Sequence, residues 1–439
     1  MTIQPFRDVV KDDTPLQERF IEIGTTGTKY GGVLDEEFLR ELRGQSGVKI
    51  YREMAKNDAV VGASLFAYTT LAKEVSFRVD SAKPGDVKAD EIAEFIRGAL
   101  FDDMNLSWRD LLGEIFSFLT YGWSLFEVVL KRRGGNTDDP TTRSRFNDNR
   151  IGWRKWAIRS QDTLVKWDLD EHGGVNGMVQ RAAPRYEQVT IPIKKALLFR
   201  TSVERNSPEG VAILRTSYPT YYQKRRIQIV RGIGIERDLA GLPMIRPPQG
   251  VDIWNANDAK ASTMKTQAER VVRNIRRDEH EGILIPYGWE LTLLSSGGSR
   301  QFDITAVLAQ LNAEIAMSMM TDFILVGHEK VGAKSVSEDK RDVFSHAASS
   351  FLDNICDVIN RFAIPVLVRL NGWPEALTPT LAHGPVAKVS LADLTTFIEK
   401  AAAAGLLFPD EGLERHLRIE AQLPPPPERV DGVLPDAAL

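Results

Sequence analysis

Cysteine is almost missing from this 439-residue chain: Cys356 is the only one, so no disulfide can form within it. Its neighbours Phe351, Leu352, Ile355, Val358 and Ile359 have helical spacing, which predicts a core thiol rather than a nucleophile. Such usage fits a reducing compartment. Histidine is also scarce. His172, His280, His328, His346, His383 and His416 never pair at three- or four-residue spacing, so no zinc site is expected. No run reaches the roughly 18 apolar residues of a membrane span. Residues 1–13 hold no apolar leader core, and neither export nor a membrane partner is expected.

Patterns that cradle phosphate or activate a nucleophile are lacking too. The nearest approach to a Walker loop is Gly327-His328-Glu329-Lys330-Val331-Gly332-Ala333-Lys334-Ser335, where Ala333 separates the second glycine from Lys334. Gly232-x-Gly234 has no third glycine, and G-x-S-x-G does not occur. Asp102-Asp103 and Asp138-Asp139 are adjacent carboxylates that could ligate a metal, but spacing supplies no third ligand. The expectation is a protein without catalytic, metal or cofactor site. A metal-dependent nucleic-acid enzyme using Asp102 and Asp103 is the minor alternative.

Nor is there a large charge of one sign. The formal net charge of -4 excludes a generic basic coat for nucleic acid, so any DNA contact must be local or slippery. Positive charge gathers in two helical segments. One carries Arg215, Lys224, Arg225, Arg226, Arg231 and Arg237; the other carries Lys260, Lys265, Arg270, Arg273, Arg276 and Arg277. Arg273, Arg276 and Arg277 share one face by three-and-four spacing. Either face can be merely solvated, or can meet phosphates or an acidic partner.

What is present is an ordered series of elements, long enough for two or three domains at about 100–200 residues each. Residues 1–45 read as an irregular arm. Residues 48–79 have mixed helical spacing and end in the alternation Val75, Phe77, Val79; residues 89–100 read as a helix. Ser107 is a helix cap before the stripe Trp108, Leu111, Leu112, Ile115, Phe116, Leu119. Tyr121-Gly122-Trp123-Ser124 then leads into a strand over 125–130 that contains Glu127. Residues 131–149 read as a mobile polar loop, and 151–203 as a small antiparallel β unit.

Ser207-Pro208-Glu209 predicts the start of a long helix reaching about Ala240, bent near Pro219 and roughly 50 Å long at ~1.5 Å per residue. Gly241-Leu242-Pro243 stops it. A short extended piece, a helix over 258–277 and strands over 282–286 and 291–294 follow. Residues 303–321 read as a helix, 323–336 as a loop, and Ser337 as the cap of a helix reaching Leu370. Residues 387–423 read as a small helical unit, and the proline run 424–427 opens a disordered tail.

In this order the motifs resemble the Mu-like family of tailed-bacteriophage portal proteins. The likeness rests on Tyr121-Gly122-Trp123-Ser124-x-x-Glu127, the tryptophan-rich strands with 159–162, Ser207-Pro208-Glu209-Gly210, Gly241-Leu242-Pro243, and Gly405-Leu406-Leu407 through Leu423-Pro424. It spans most of 46–425. The implied fold class is α+β and mainly helical, a portal-type ring subunit. The resemblance implies a wing over 46–206, stem helices over 207–240 and 303–322, a clip over 241–302 and a channel loop over 323–336. A long helix returning to the wing over 337–386, a crown over 387–423 and a tail over 424–439 complete it. It further implies a homo-oligomeric ring, a dodecamer, at one capsid vertex of a virion, assembled in the host cytoplasm.

Double-stranded DNA would pass without sequence specificity for packaging, retention and ejection. Terminase or another packaging motor, head-completion or neck proteins, and capsid and scaffolding proteins are the implied partners. Another head-tail connector is the alternative. The implied channel residues are Leu325, Val326, Gly327, His328, Glu329, Lys330, Val331, Gly332 and Lys334. Small apolar side chains and scattered charge there would avoid tight, salt-dependent phosphate binding that stalls transport, although Lys330 and Lys334 can grip phosphates. The implied clip-docking residues are Lys260, Lys265, Arg270, Arg273, Arg276 and Arg277.

Overall fold

A computed structural model describes residues 37–240, 242–255, 258–274, 284–294, 304–325, 334–386 and 391–405. The chain divides into two compact units, Met1–His383 and Gly384–Leu439.

Asp58 separates the first two helices. α1 (Gly44–Asn57) ends beside it, and α2 (Ala59–Glu74) begins where its carboxylate accepts from the Val60 and Val61 amides at 2.9 and 3.2 Å. Two otherwise orphaned helix donors are satisfied in this way. The alternation seen in the sequence becomes β1 (Phe77–Asp80). α3 (Val87–Phe101) is capped by Asp86, and α4 (Trp108–Ile115) by Ser107, whose hydroxyl accepts from the Asp110 amide at 3.2 Å. The apolar stripe does not continue as one helix. It breaks at Phe116 and resumes as α5 (Ser117–Tyr121).

β2 (Trp123–Arg132) follows, then β3 (Ile151–Arg159), β4 (Leu164–Leu169), β5 (Val175–Arg181), β6 (Gln188–Pro192) and β7 (Ala196–Arg200). The expected antiparallel unit is in fact two three-stranded sheets, in the orders β3-β2-β7 and β4-β5-β6. Phe126 lies opposite Ile158 on one side and Leu197 on the other, which makes β2 the central strand. The sheets share a core in which Trp123 and Trp167 meet edge to face at 5.0 Å, among Leu125, Met178, Ile191 and Ala196. Such an arrangement adds about 0.5–1.5 kcal/mol to the area each indole buries.

The polar segment 131–149 is tethered rather than loose. The buried Asp103 carboxylate accepts from Ser144 Oγ at 2.9 Å and the Arg145 amide at 3.0 Å, and pairs with Lys131 Nζ at 3.0 Å. Arg133, also buried, lies 4.5 Å from the Phe95 ring and 3.8 Å from the Phe146 ring. Sequence polarity suggested a solvated loop; distant Asp103 supplies what holds it down.

The long helix starts later than its motif implied. Ser207 is buried and accepts from the Glu209 amide at 3.2 Å, yet the chain stays non-helical until the short turn Ile213–Arg215. α6 (Tyr218–Ala240) then begins, with Pro219 in its first turn, where the missing N–H has no helical partner to lose. The proline therefore opens the helix instead of bending it. Its 23 residues span roughly 35 Å.

β8 (Leu242–Arg246) comes next, then α7 (Ala259–Asn274), with Asp258 accepting from the Lys260 amide at 2.8 Å, and β9 (Glu290–Leu294), antiparallel to β8. Residues 284–286 form no strand, contrary to expectation. α8 (Ile304–Ser318) leads through the short turn Asp322–Ile324. α9 (Lys334–Val358) starts ahead of Ser337, which lies inside the helix rather than capping it.

One π turn, Ile359–Ala363, joins α9 to α10 (Ile364–Leu370). Pro365, which cannot donate to the preceding turn, accounts for the wider loop there. β10 (Thr380–His383) returns to pair with β1, Phe77 facing His383. In the second unit, α11 (Leu391–Ala403) is the described part of the expected helical segment 387–423. The arm up to residue 36 and the expected tail over 424–439 lie outside the described residues.

Candidate functional site

Two sequence motifs more than 80 residues apart meet at one backbone crossing. Gly122 ends α5 with φ +88°, and a Cβ on it would lie 2.0 Å from the Gly210 carbonyl oxygen; one on Gly210 would lie 2.5 Å from the Gly122 carbonyl oxygen. Only two glycines permit this approach. The Thr201 amide donates to Gly122 O at 3.0 Å. Gln161 Nε2 donates to Trp123 O at 2.9 Å, Ser124 Oγ to Ile115 O at 3.0 Å, and Trp167 Nε1 to Glu209 Oε1 at 2.8 Å. Each signature residue thus fixes the platform from which α6 leaves.

A cavity of about 170 Å³ beside the crossing is lined by Tyr51, Tyr121, Ser207, Glu209 and Arg215 among others. It is smaller than the roughly 300–1,000 Å³ of small-molecule sites.

Glu127, the last signature residue, bonds Arg159 and lies 2.9 Å from Lys195. Burial pushes its carboxyl up, but hydrogen bonds and charge from Arg159 and Lys195 outweigh this and hold it below the ordinary 4.5.

The segment expected to line a channel has a firmly built entrance. Ser64 and Thr321 hydroxyls lie 2.6 Å apart, and Tyr68 donates to Met319 O at 3.0 Å. Tyr68 and Phe323 both contact the Phe344 ring, at 4.5 and 5.1 Å. Lys340 pairs with Asp322 at 2.6 Å. Met320 adopts φ +56°, the left-handed conformation that turns the chain out of α8. Burial drives the Tyr68 phenol up to about 12, so it stays a neutral donor. Leu325 is half-buried at this base. Val326, Gly327, His328, Glu329, Lys330, Val331 and Gly332 lie outside the described residues, and Lys334 begins α9.

The basic residues divide by role. On α6, Lys224 is buried against Asp58 at 2.6 Å, Arg225 pairs with Glu53 at 2.6 Å, and Arg215, just before the helix, bonds Glu37 at 2.9 Å. These charges fasten the helix to α1, α2 and their approach rather than facing a polyanion. On α7, Ala261 and Ala268 are buried while Lys260, Arg270 and Arg273 are exposed. Lys265 lies 4.3 Å over the Trp254 ring, and Arg273 is 3.9 Å from Glu269. The exposed Leu284 and Tyr287 lie on the approach to β9. Arg276 and Arg277 lie outside the described residues.

Sequence reading missed Asp58, and it placed Lys224 on a basic face rather than in the core where it meets that carboxylate. The Asp-Ala-Val-Val cap at 58–61 was visible, but its buried cation comes from a residue 166 positions away. Asp103, a candidate ligand in sequence, is committed to Lys131 and the 144–145 segment, which opposes a second cation. Cys356 is a buried thiol pushed up to about 12 by burial first and then by Asp353 and Asp357, unsuited to nucleophilic work.

The family described as the portal protein of Mu bacteriophage matches residues 48–419. Among solved structures, the chain is similar to one from the neck of an empty gene transfer agent particle computed with C6 symmetry. Identity is 12%, coverage 86% of this chain and 94% of that one, and the TM-score 0.54. A chain from the neck of a native particle of this kind, computed with C12 symmetry, gives 12% identity, the same coverages and a TM-score of 0.53. An HK97 family phage portal protein from Corynebacterium diphtheriae has 12% identity over 78% of this chain and 96% of that one, with a TM-score of 0.42. The first two likenesses establish a shared fold, α+β and mainly helical.

Proposed function

The chain belongs to the family of the Mu bacteriophage portal protein, and we propose that it assembles into a dodecameric ring at one capsid vertex through which double-stranded DNA is packaged, retained and ejected. The observation that carries this reading is the family match across residues 48–419, which takes in the whole succession from the β2 sheet through the α6–α8 pair to α9. In this reading 46–206 forms the wing, 207–240 and 303–322, which contain α6 and α8, the stem, 241–302 the clip and 323–336 the channel loop. The helix pair α9–α10 returns to the wing, and 387–423 is the crown.

The work is mechanical and non-enzymatic. The ring guides DNA without gripping one sequence, because the chain as a whole is mildly acidic and two of the α6 cations, Lys224 and Arg225, are spent on Asp58 and Glu53. The clip, with Lys260, Arg270 and Arg273 exposed on α7 and Trp254 and Tyr287 exposed outside it, docks a packaging motor and then neck or head-completion proteins. Capsid and scaffolding proteins meet the ring within the virion, after assembly in the host cytoplasm.

Native mass measurement of the purified chain tests the ring; a monomer at every concentration and salt would overturn it. Deletion of 327–334 tests the channel. Rings should still form while packaging or DNA retention fails, and normal retention would remove the loop from the mechanism.

A further inference from the structure

We propose that the cavity beside the Gly122–Gly210 crossing is a binding site for a short primary alkylammonium group. The inference stands on this chain's own residues and does not depend on the ring reading above. Three carboxylates line the cavity against two guanidiniums: Glu37, Glu204 and Glu209 against Arg43 and Arg215. Both arginines are held on Glu37. Arg215 Nη2 donates to its carboxylate at 2.9 Å, and Arg43 Nε donates to its backbone carbonyl. Burial pushes the Glu37 carboxyl up, but the Arg215 and Leu39 hydrogen bonds and the two arginine charges hold it below the ordinary 4.5. One negative charge is therefore in excess, and Glu204 has no ion pair among the described residues. Glu209 accepts from Trp167 Nε1 at 2.8 Å. A carboxylate offers about four lone-pair sites, so that bond fixes Glu209 without exhausting it.

Tyr51 points to a ligand independently. Its ring belongs to a core shared with Met54, Leu214 and Tyr218, and only 8% of the residue is exposed. It lines the cavity, and its hydroxyl has no hydrogen-bond partner among the described residues. A phenol withdrawn from bulk water in this way costs stability unless a partner reaches it. Burial first, and then the Glu37 charge, raise this phenol well above its ordinary value, so it stays neutral. Its oxygen can then accept from an ammonium N–H.

Size and lining narrow the ligand. A cavity of roughly 150 Å³ takes one benzene. At about 170 Å³ this one holds about six heavy atoms, which excludes a nucleotide. A divalent metal does not fit, because no group of three or more metal-ligating side chains occurs among the described residues. Leu42, Val211 and Ala212 supply an apolar wall, which suits a short alkyl chain better than a hydrated ion. An ammonium has three donors to place, and Tyr51, Glu204 and Glu209 are three acceptors. The site joins Tyr51 of α1 to the segment that leads into α6, so an occupant would tie these two parts together.

Titration of the full chain with putrescine, a diamine of six heavy atoms, tests the site. Calorimetry should show saturable binding of about one molecule per chain, and Tm should rise. Butanediol, of the same length but uncharged, should do neither. Tyr51→Phe and Glu204→Gln should each weaken binding by about tenfold, the worth of a hydrogen bond to a charged group. Glu204 is exposed, so its substitution leaves the fold intact; Glu187→Gln, exposed and outside the cavity lining, should change nothing. Butylammonium separates two sources of the group. Binding as tight as that of putrescine assigns the site to a lysine side chain of another polypeptide, and a preference of about tenfold for putrescine assigns it to a free diamine. No binding up to about 10 mM putrescine would overturn the proposal, as would binding that both variants leave unchanged. Acetate binding more tightly than putrescine would overturn it too, by giving the cavity to Arg43 and Arg215.

Discussion

Gly122 has little freedom to accept any side chain. Its φ of +88° and the Gly210 carbonyl, 2.0 Å from where a Cβ would stand, act together, so Gly122→Ala should destabilise by about 3 kcal/mol or more in urea unfolding. A loss under about 1 kcal/mol would mean that the crossing relaxes. Glu127 is held below its ordinary 4.5 by Arg159 and Lys195. A depressed carboxyl contributes stability above its unfolded value, and that contribution is lost as pH falls through the folded one. Between about pH 5 and 3, wild-type stability should therefore fall more steeply than that of Glu127→Gln, measured by unfolding at each pH. Parallel curves would remove Glu127 from the acid response. The glycine and the glutamate both stood out in sequence, because their neighbours formed one continuous motif; what they touch did not follow from it, since Gly210 belongs to a separate motif and Lys195 to none.

At the scale of elements, helix starts show which local signals can be trusted. Ser107 caps as its sequence suggests and Asp86 caps in the same way, since the amides they serve are two or three residues away. Ser207 shows the opposite outcome. Its N-terminal signature is strong, but Trp167 takes the Glu209 carboxylate and the Gly122 crossing holds 207–212 out of the helix, so packing overrides propensity. α6 is instead fastened to α2 by Lys224 and Asp58, both buried. Lys224→Met leaves that carboxylate without its cation and should destabilise by about 3–5 kcal/mol in denaturant titration. Adding Asp58→Asn, which keeps the cap, should recover part of this. If the double variant is no better than the single, the penalty lies in packing rather than in the unpaired charge.

For the whole molecule, the chemistry of the contacts between copies sets how assembly responds to salt. A ring held mainly by apolar side chains should persist from about 0.1 to 1 M sodium chloride, because screening leaves apolar burial untouched. Dissociation over that range, followed by light scattering, would point to an electrostatic interface. The chain's own residues determined the family, the mixed helical architecture, the core state of Cys356 and most helix and strand positions, since caps, periodicity and short motifs act over a few residues. Tertiary structure alone decided that 151–203 makes two sheets with β2, that β1 pairs with β10, that Thr321 anchors on Ser64 and that Asp103 binds 144–145. Those contacts join residues tens to hundreds of positions apart, where no local pattern names the partner. The pairing emerges only when burying the core brings the elements together.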